Sequence, residues 1–359
     1  MIFRRAIRRE FRHAAAGVFV ALFAILVTMV LIRLLGQAAG GRVPPDAVVA
    51  LIGFGALAQL PIVLALTLFV AVLLPLSRSY RDSEMVVWFA AGLPLTAFIR
   101  PVLQFAIPVV VVIGVLTLMV TPWANMQSEA YRSALEQRDD TTRVAPGIFR
   151  ESAGGTRVFF VETGAAEDGR LRNVFVSSEE AGRLTLIASA TGSVIVDDRG
   201  DRFVILEHGR RYDGVPGTAG FRVVEFERYE VLIEEREAVS PTVRAKATPT
   251  RDLLAQPSKR NLGELAGRIG LPVAALLLAV LAIPLSFVNP RAGRSANLIF
   301  AILAFLVYSN IISVSEAWVT QGRLQFGLAV VLPHLIVVCV LALMFYRRLA
   351  VSPFWRARA

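Results

Sequence analysis

The chain has 359 residues, a net charge of +10 and a hydrophobic content of 55%, above the roughly 45–50% typical of soluble domains. This composition excludes an ordinary soluble protein and indicates a membrane protein. The single cysteine, Cys339, excludes an intramolecular disulfide, so an exported domain must be stable without one.

Six apolar runs are long enough to cross a hydrocarbon core of about 30 Å, which takes about 20 helical residues. The predicted spans are Ala14–Leu35, Ala47–Leu76, Pro101–Val120, Ile269–Val288, Leu298–Val319 and Phe326–Tyr346. The first run is longer than the apolar core of a signal peptide, so we interpret it as an uncleaved helix.

The positive charge lies in the membrane part, because residues 121–260 carry 20 Lys and Arg against 22 Asp and Glu. If six spans alternate, most of the remaining basic residues lie on one side. The exceptions are Arg33, Arg42, Arg268 and Arg323. The positive-inside rule then predicts that both termini are cytoplasmic, and the charge gives no reason to expect a nucleic-acid partner.

The stretch RSYRDSEMVVWFAAGLP, residues 78–94, follows the second span. A capping box of Ser79 and Asp82, with Gly92 past the end, predicts a helix over 79–91 of roughly 18 Å, which is too short to span a bilayer. Beyond Glu84 its apolar residues point in nearly every direction, so the helix must be largely buried. Two interpretations stay open: a helix that docks on a protein partner, and an interfacial helix that contacts only lipid.

Residues 122–267, between the third and fourth spans, are predicted to form an extracytoplasmic domain. Alternating apolar and β-branched runs, separated by turn-rich pieces, indicate an all-β sandwich or jelly roll. The predicted strands are 156–163, 172–178, 183–190, 192–198, 201–209 and 221–233. The flanking segments Asn125–Gln137 and Pro241–Lys259 are expected to tether the domain, with residues 1–121 before it and 268–359 after it forming the membrane part.

One motif carries a specific resemblance. Glu264 and Arg268 begin the fourth span, and the pattern PLS…NPR.GR follows at residues 284–294. In this arrangement the chain resembles the permease subunits of the lipopolysaccharide export ABC transporter, LptF and LptG, over essentially its whole length. The start RRAIRRE is most similar to the F-type subunit; the G-type subunit is the alternative.

The resemblance implies six transmembrane helices with a jelly-roll-like periplasmic domain inserted between helices three and four. It implies a non-catalytic subunit without a cofactor of its own, since ATP and Mg would be bound by a separate cytoplasmic ATPase dimer. The other implied partners are lipopolysaccharide, a homologous permease subunit and a single-span periplasmic bridge component. The helix over 79–91 would be the coupling helix, and its expected ATPase contacts are Arg81, Asp82, Glu84, Met85 and Trp88.

Charged groups inside spans are costly and are therefore functional candidates. Arg33 either extends to the outer headgroups or pairs with a phosphate of the lipid substrate. Ser309, Ser313 and Glu316 lie on one face of the fifth span, which predicts a cavity lining or a polar partner. A basic partner is expected for Glu316, either Arg33 of a companion subunit or the nearby Arg323.

Four residues are assigned structural roles. Glu264 and Arg268 have the i,i+4 spacing of a helical ion pair, and Pro61 and Pro284 are expected to kink long helices. Two other functional classes remain open: a lipoprotein-releasing or mechanotransmitting ABC subunit, usually with four spans, and a membrane-anchored sensor without a transport role.

Overall fold

A computed structural model describes most of the chain. The described residues are 2–39, 43–143, 150–151, 157–162, 170–180, 183–196, 202–214, 220, 222–234, 245–287 and 296–349. The NPR.GR turn at 289–294 and the tail at 350–359 lie outside them. The contacts divide the chain into a membrane unit, residues 1–133 with 240–359, and a β unit, residues 134–239.

The membrane unit contains six helical segments that are long and apolar enough to cross a bilayer, which confirms the six predicted spans. The four-span alternative does not fit this number. The helices of the unit are α1 (Ile2–Ala39), α2 (Val48–Arg81), α3 (Glu84–Ala90), α4 (Ile99–Val115), α5 (Thr121–Arg143), α6 (Thr250–Ala255), α7 (Lys259–Leu285), α8 (Ala296–Thr320) and α9 (Phe326–Leu349). Helix α2 continues through Pro61, and α7 ends one residue after Pro284. Their action as hinges stays a prediction.

The core of the membrane unit lies around α2 and α7, the two most buried spans. Its largest enclosed side chains include Phe11 of α1, Phe69 of α2 and Leu278 of α7. Helix α1 is the least buried span, so most of its apolar surface is not covered by the other described helices of this chain.

The third span is longer than predicted. Helix α4 passes into a π-helical turn at Leu116–Val120 and continues as α5, so the segment Asn125–Gln137 belongs to a helix rather than to an irregular linker. Ala, Met, Gln and Glu are good helix formers, and no proline or glycine follows Pro122 before Arg143, so nothing in the sequence ends the helix earlier.

The described strands of the β unit form one antiparallel sheet in which each strand pairs with the next. They are β1 (Arg150–Glu151), β2 (Arg157–Glu162), β3 (Arg170–Glu180), β4 (Arg183–Val196), β5 (Arg202–Gly214) and β6 (Arg222–Glu234). The inserted all-β domain is thus confirmed, whereas a jelly roll has two sheets and stays a prediction.

Two of the predicted strands, 183–190 and 192–198, are a single strand, β4. The predicted boundary at Thr191 lies inside this strand, where Thr191 and Gly192 pair with Glu207 and Leu206 of β5. Gly192 fits because a β-carbon there would lie 3.0 Å from the Ile205 carbonyl oxygen and 3.2 Å from the Leu206 side chain.

Candidate functional site

The predicted helix over 79–91 has different bounds in the structure. Residues up to Arg81 complete α2, Asp82 and Ser83 form a turn, and only Glu84–Ala90 form the separate helix α3. The predicted capping box is wrong, because Ser79 lies within α2 and its hydroxyl donates to Glu84 Oε2 at 2.8 Å. The chain turns at Ser83, whose φ of 61° is left-handed.

Helix α3 has two different faces. Met85 is 1% exposed and the Trp88 ring lies 5.5 Å from the ring of Phe98, so this face packs into the membrane unit. On the other face Val86 and Val87 are 64% and 66% exposed, and Phe89 is also exposed. The predicted partner contact through Met85 does not fit its burial, whereas Trp88 is half-buried and its contact with a partner stays a prediction. The outward apolar surface belongs to Val86, Val87 and Phe89, which were not among the predicted contacts.

The spacing could have indicated this division. Met85 and Trp88 are three residues apart, so on a helix of two turns they share one face. We define the α3 surface as Val86, Val87 and Phe89, with the exposed Arg81 and Asp82 beside it.

Arg78 is the charged centre of this region, a role that no sequence pattern indicated. Its Nη2 donates to Glu10 Oε1 of α1 at 2.9 Å and lies 4.0 Å from Glu84 Oε1 of α3, while its Nε lies 3.8 Å from Asp82 Oδ2. One guanidinium thus joins α1, the end of α2 and the start of α3.

Aromatic rings connect the same region to other helices. The Tyr80 ring lies 6.3 Å from that of Phe89 and 5.5 Å from that of Phe287, just after α7. The Arg348 guanidinium, from α9, lies 3.8 Å from the Phe287 ring centre, which is cation–π geometry. These contacts therefore connect α3 through Tyr80 of α2 and Phe287 after α7 to Arg348 of α9.

The opposite end of the helices contains the residues predicted for a substrate path. Arg33, Ser313 and Arg323 are exposed, and Ser309 and Glu316 are half-buried. Among the described residues, no ion pair within 4.0 Å involves Arg33, Arg323 or Glu316. Arg323 is thus not the partner of Glu316 within this chain, and pairing with a companion subunit stays a prediction.

Glu316 instead faces α7. A β-carbon built on Gly267 would lie 2.8 Å from Glu316 Oε2. The carboxylate therefore packs directly against the backbone of that glycine. The charged groups that act on it are Glu264, Lys246 and Arg268. The structure therefore places Glu316, predicted for a substrate path, beside the helix that carries the predicted ion pair of Glu264 and Arg268.

The ion pair predicted for Glu264 and Arg268 is present, with an Nε–Oε1 distance of 3.0 Å. Arg268 is only 3% exposed, and its remaining contacts are with the segment that returns from the β unit. Nη1 donates to Thr250 Oγ1 at 2.7 Å, and Nη2 donates to the carbonyl oxygens of Ala245, Lys246 and Thr248 at 3.0–3.2 Å.

Small residues allow α8 to approach α7 closely. A β-carbon on Gly263 would lie 2.3 Å from Thr320 Oγ1, and one on Gly270 would lie 3.1 Å from the Ile312 side chain. Glycines at i, i+4 and i+7, including Gly267, form the contact stripe typical of tightly packed membrane helices.

The β unit has a groove of about 1100 Å³ on its sheet. Phe160, Phe175 and Phe226 give it apolar walls, and His208 and Arg210 add polar groups. The hydrogen bond from Arg210 to Glu225, at 3.1 Å, raises the pKa of the guanidinium. Arg210 pairs with Glu225 and Glu227 adds a second carboxylate, so the groove combines apolar walls with charges of both signs.

Comparison with known proteins agrees with this geometry. The family model for the lipopolysaccharide export system permease LptF/LptG matches residues 5–347. The chain is 26% identical over 311 residues to the lipopolysaccharide export system permease protein LptF of Escherichia coli strain K12, which covers 86% of this chain and 84% of that protein. The LptF proteins of Escherichia coli O157:H7 and Shigella flexneri match to the same extent. With six spans, an inserted β unit and this family match, the chain belongs to the lipopolysaccharide export system permease LptF/LptG family and is a multi-pass inner-membrane transport subunit.

Proposed function

We propose that this chain is the F-type permease subunit of an ATP-driven transporter that extracts lipopolysaccharide from the inner membrane and passes it to a periplasmic bridge. The subunit is itself non-catalytic, and a separate ATPase dimer binds ATP and Mg. The similarity to LptF of Escherichia coli supports the F-type assignment, and the G-type subunit is the alternative. The observation that carries the ATP-driven mechanism is the α3 surface.

The chemistry of the α3 surface favours a protein partner. Val86, Val87 and Phe89 expose their side chains beside the charged Arg81 and Asp82. Burying one such apolar side chain fully is worth about 1.5–3 kcal/mol. The anionic cytoplasmic leaflet disfavours Asp82 at an interfacial helix, whereas a groove in a soluble protein can bury the apolar side chains and pair with both charges. Of the two interpretations left open by the sequence, docking is therefore the one that we propose.

The topology follows from the distribution of arginine. The end of the helices with the N-terminal arginines, Arg78 and Arg348 is cytoplasmic by the positive-inside rule. The β unit, inserted at the opposite end of the third and fourth spans, is then periplasmic. This orientation gives the α3 surface access to a cytoplasmic ATPase.

The substrate path lies at the periplasmic end. The exposed guanidinium of Arg33 can bind two oxygens of a lipid phosphate, and Ser313 lies on the exposed side of α8. The outer surface of α1, which this chain leaves uncovered, is available to a homologous permease subunit, so the pair would enclose the lipid between them. The apolar walls of the groove on the sheet of the β unit then suit the acyl chains of the same lipid.

Copurification tests the docking step. The full permease pair, tagged on this chain, is expected to bring the ATPase with it from detergent, and Val87→Asp is expected to abolish this association. Val223→Asp, the same change at an exposed valine of β6, is the matched control and should retain the ATPase. Equal recovery of the ATPase with both variants would contradict docking at the α3 surface.

A further inference from the structure

The return segment, residues 245–250, carries the chain from the β unit back to the membrane helices. Three of its carbonyl oxygens, from Ala245, Lys246 and Thr248, converge on Arg268 Nη2. Buried carbonyl groups require donors, and here one guanidinium of α7 supplies them. Arg268 therefore holds the return segment at several points rather than at one.

The return segment is also joined to the third span. Thr250 accepts from Arg268 Nη1 and donates its hydroxyl hydrogen to the carbonyl oxygen of Leu118. Leu118 lies in the π-helical turn, a distortion that frees backbone carbonyls for other partners. Asn125 Nδ2 donates to the Lys246 carbonyl oxygen at 3.3 Å, about two turns further along the same span.

Helix α8 reaches this cluster through Glu316. Its carboxylate rests on Gly267, next to Arg268 in the sequence, and Glu264 already accepts from Arg268 Nε. The carboxylates of Glu264 and Glu316 thus both interact electrostatically with Arg268, and the exposed Lys246 is a second positive charge near Glu316. Because Glu264 and Arg268 are on the same helix, the variable member of the cluster is Glu316, whose position follows α8.

We propose that Arg268 is a positioning residue that couples α8 to the return segment. When α8 moves, the Glu316 carboxylate leaves Gly267. The guanidinium of Arg268 is then drawn more strongly to Glu264, and its hydrogen bonds to the three carbonyl oxygens weaken. This proposal rests on the proposed function, in which α8 borders the substrate path.

The test measures access to the return segment in the purified complex of permease pair and ATPase. Cys339 is replaced by Ala, and the buried Ala247 is replaced by Cys as the reporter. Labelling by a membrane-impermeant maleimide is expected to be slow in this parent. Arg268→Lys keeps the charge but not the forked donors, so labelling should be about tenfold faster, the effect expected for losing a hydrogen bond to a charged group.

The decisive variants lie away from the return segment. Glu316→Gln, and Gly267→Ala, whose methyl group displaces the carboxylate, should each speed labelling several-fold. Val314→Ala at an exposed position of α8 and Gly53→Ala on α2, where a β-carbon meets nothing within 4 Å, are the matched controls and should label like the parent. Size-exclusion profiles check that every variant is folded and assembled.

Unchanged labelling with Glu316→Gln and Gly267→Ala would overturn the coupling of α8, and unchanged labelling with Arg268→Lys would overturn the role of Arg268. The assay needs neither ATP nor lipopolysaccharide. Failure of the proposed transport function would show instead as absent lipid release with labelling intact, so the two failures are distinguishable.

Discussion

Arg78 and Glu10 are 68 residues apart in the sequence, yet Arg78 Nη2 donates to Glu10 Oε1 at 2.9 Å. The same guanidinium faces Asp82 and Glu84, which flank the turn before α3. The contact therefore ties the N-terminal part of α1 to the segment that we propose as the ATPase contact. In the proposed mechanism, the ATPase would displace α3, and this ion pair would transmit the displacement to α1.

Replacing this contact should reduce coupling and leave stability nearly unchanged. All three carboxylates and Arg78 are partly exposed, and exposed ion pairs contribute about 0–1 kcal/mol to stability. We expect Glu10→Gln and Arg78→Gln to lower the ratio of lipid released to ATP hydrolysed, with the larger effect for Arg78→Gln because it serves three carboxylates. The double variant should match Arg78→Gln alone. Additive losses would show that the two residues act separately.

The two faces of α3 should respond differently to truncation. Met85→Ala removes a fully enclosed side chain and should cost about 2–5 kcal/mol of unfolding free energy in detergent. Val86→Ala, on the exposed face, should change it by less than about 0.5 kcal/mol and should instead weaken binding of the ATPase. Denaturation of the isolated chain and titration with the ATPase measure the two effects. A stability loss of similar size for both variants would contradict the division of faces.

The glycine stripe of α7 should not tolerate a methyl group at Gly263. A β-carbon there would approach Thr320 Oγ1 to 2.3 Å and the Glu316 carbonyl oxygen to 2.9 Å, and the carbonyl can move only with α8. We expect Gly263→Ala to destabilise the chain by about 1–3 kcal/mol, as other overpacked sites do. Thermal unfolding in detergent gives the measurement. Gly53→Ala, which meets no neighbour, serves as the control, and equal melting temperatures would mean that α8 can shift freely.

Arg33 should contact the transported lipid. A photocrosslinking residue at position 33 is expected to capture lipopolysaccharide in cells, because the exposed guanidinium lies at the periplasmic end of α1 in the proposed topology. Val331, an exposed apolar residue of α9, is the comparison position and should capture bulk phospholipid. The same phospholipid profile at both positions would favour the alternative in which Arg33 only extends to headgroups.

The sequence predicted the features that depend on local pattern. Six spans follow from runs of about 20 apolar residues, and the strands follow from alternation. The predicted bounds of this helix were wrong because Ser79 and Asp82 have the spacing of a capping box. In the structure α2 continues past Ser79 and ends at Arg81. The left-handed Ser83 that separates the two helices has no distinctive signal, since serine rarely adopts that conformation.

The long-range contacts could not be predicted from one sequence. The sequence places Glu316 on a polar face of the fifth span, but nothing in that helix indicates that its carboxylate would lie against Gly267 of α7. Arg268 was assigned to Glu264 from spacing, whereas its contacts to the return segment depend on how α7, α6 and the third span pack together. These contacts arise from tertiary packing, which the spacing of residues within one helix does not predict.

The most direct test of the central claim is ATP-dependent release of lipopolysaccharide from proteoliposomes that contain the complete permease pair and ATPase. The account predicts release that requires ATP and is lost in Val87→Asp, while Val223→Asp releases the lipid like the parent. Release by the Val87→Asp complex at the parental rate, or release that is independent of ATP, would contradict a transporter driven through the α3 surface.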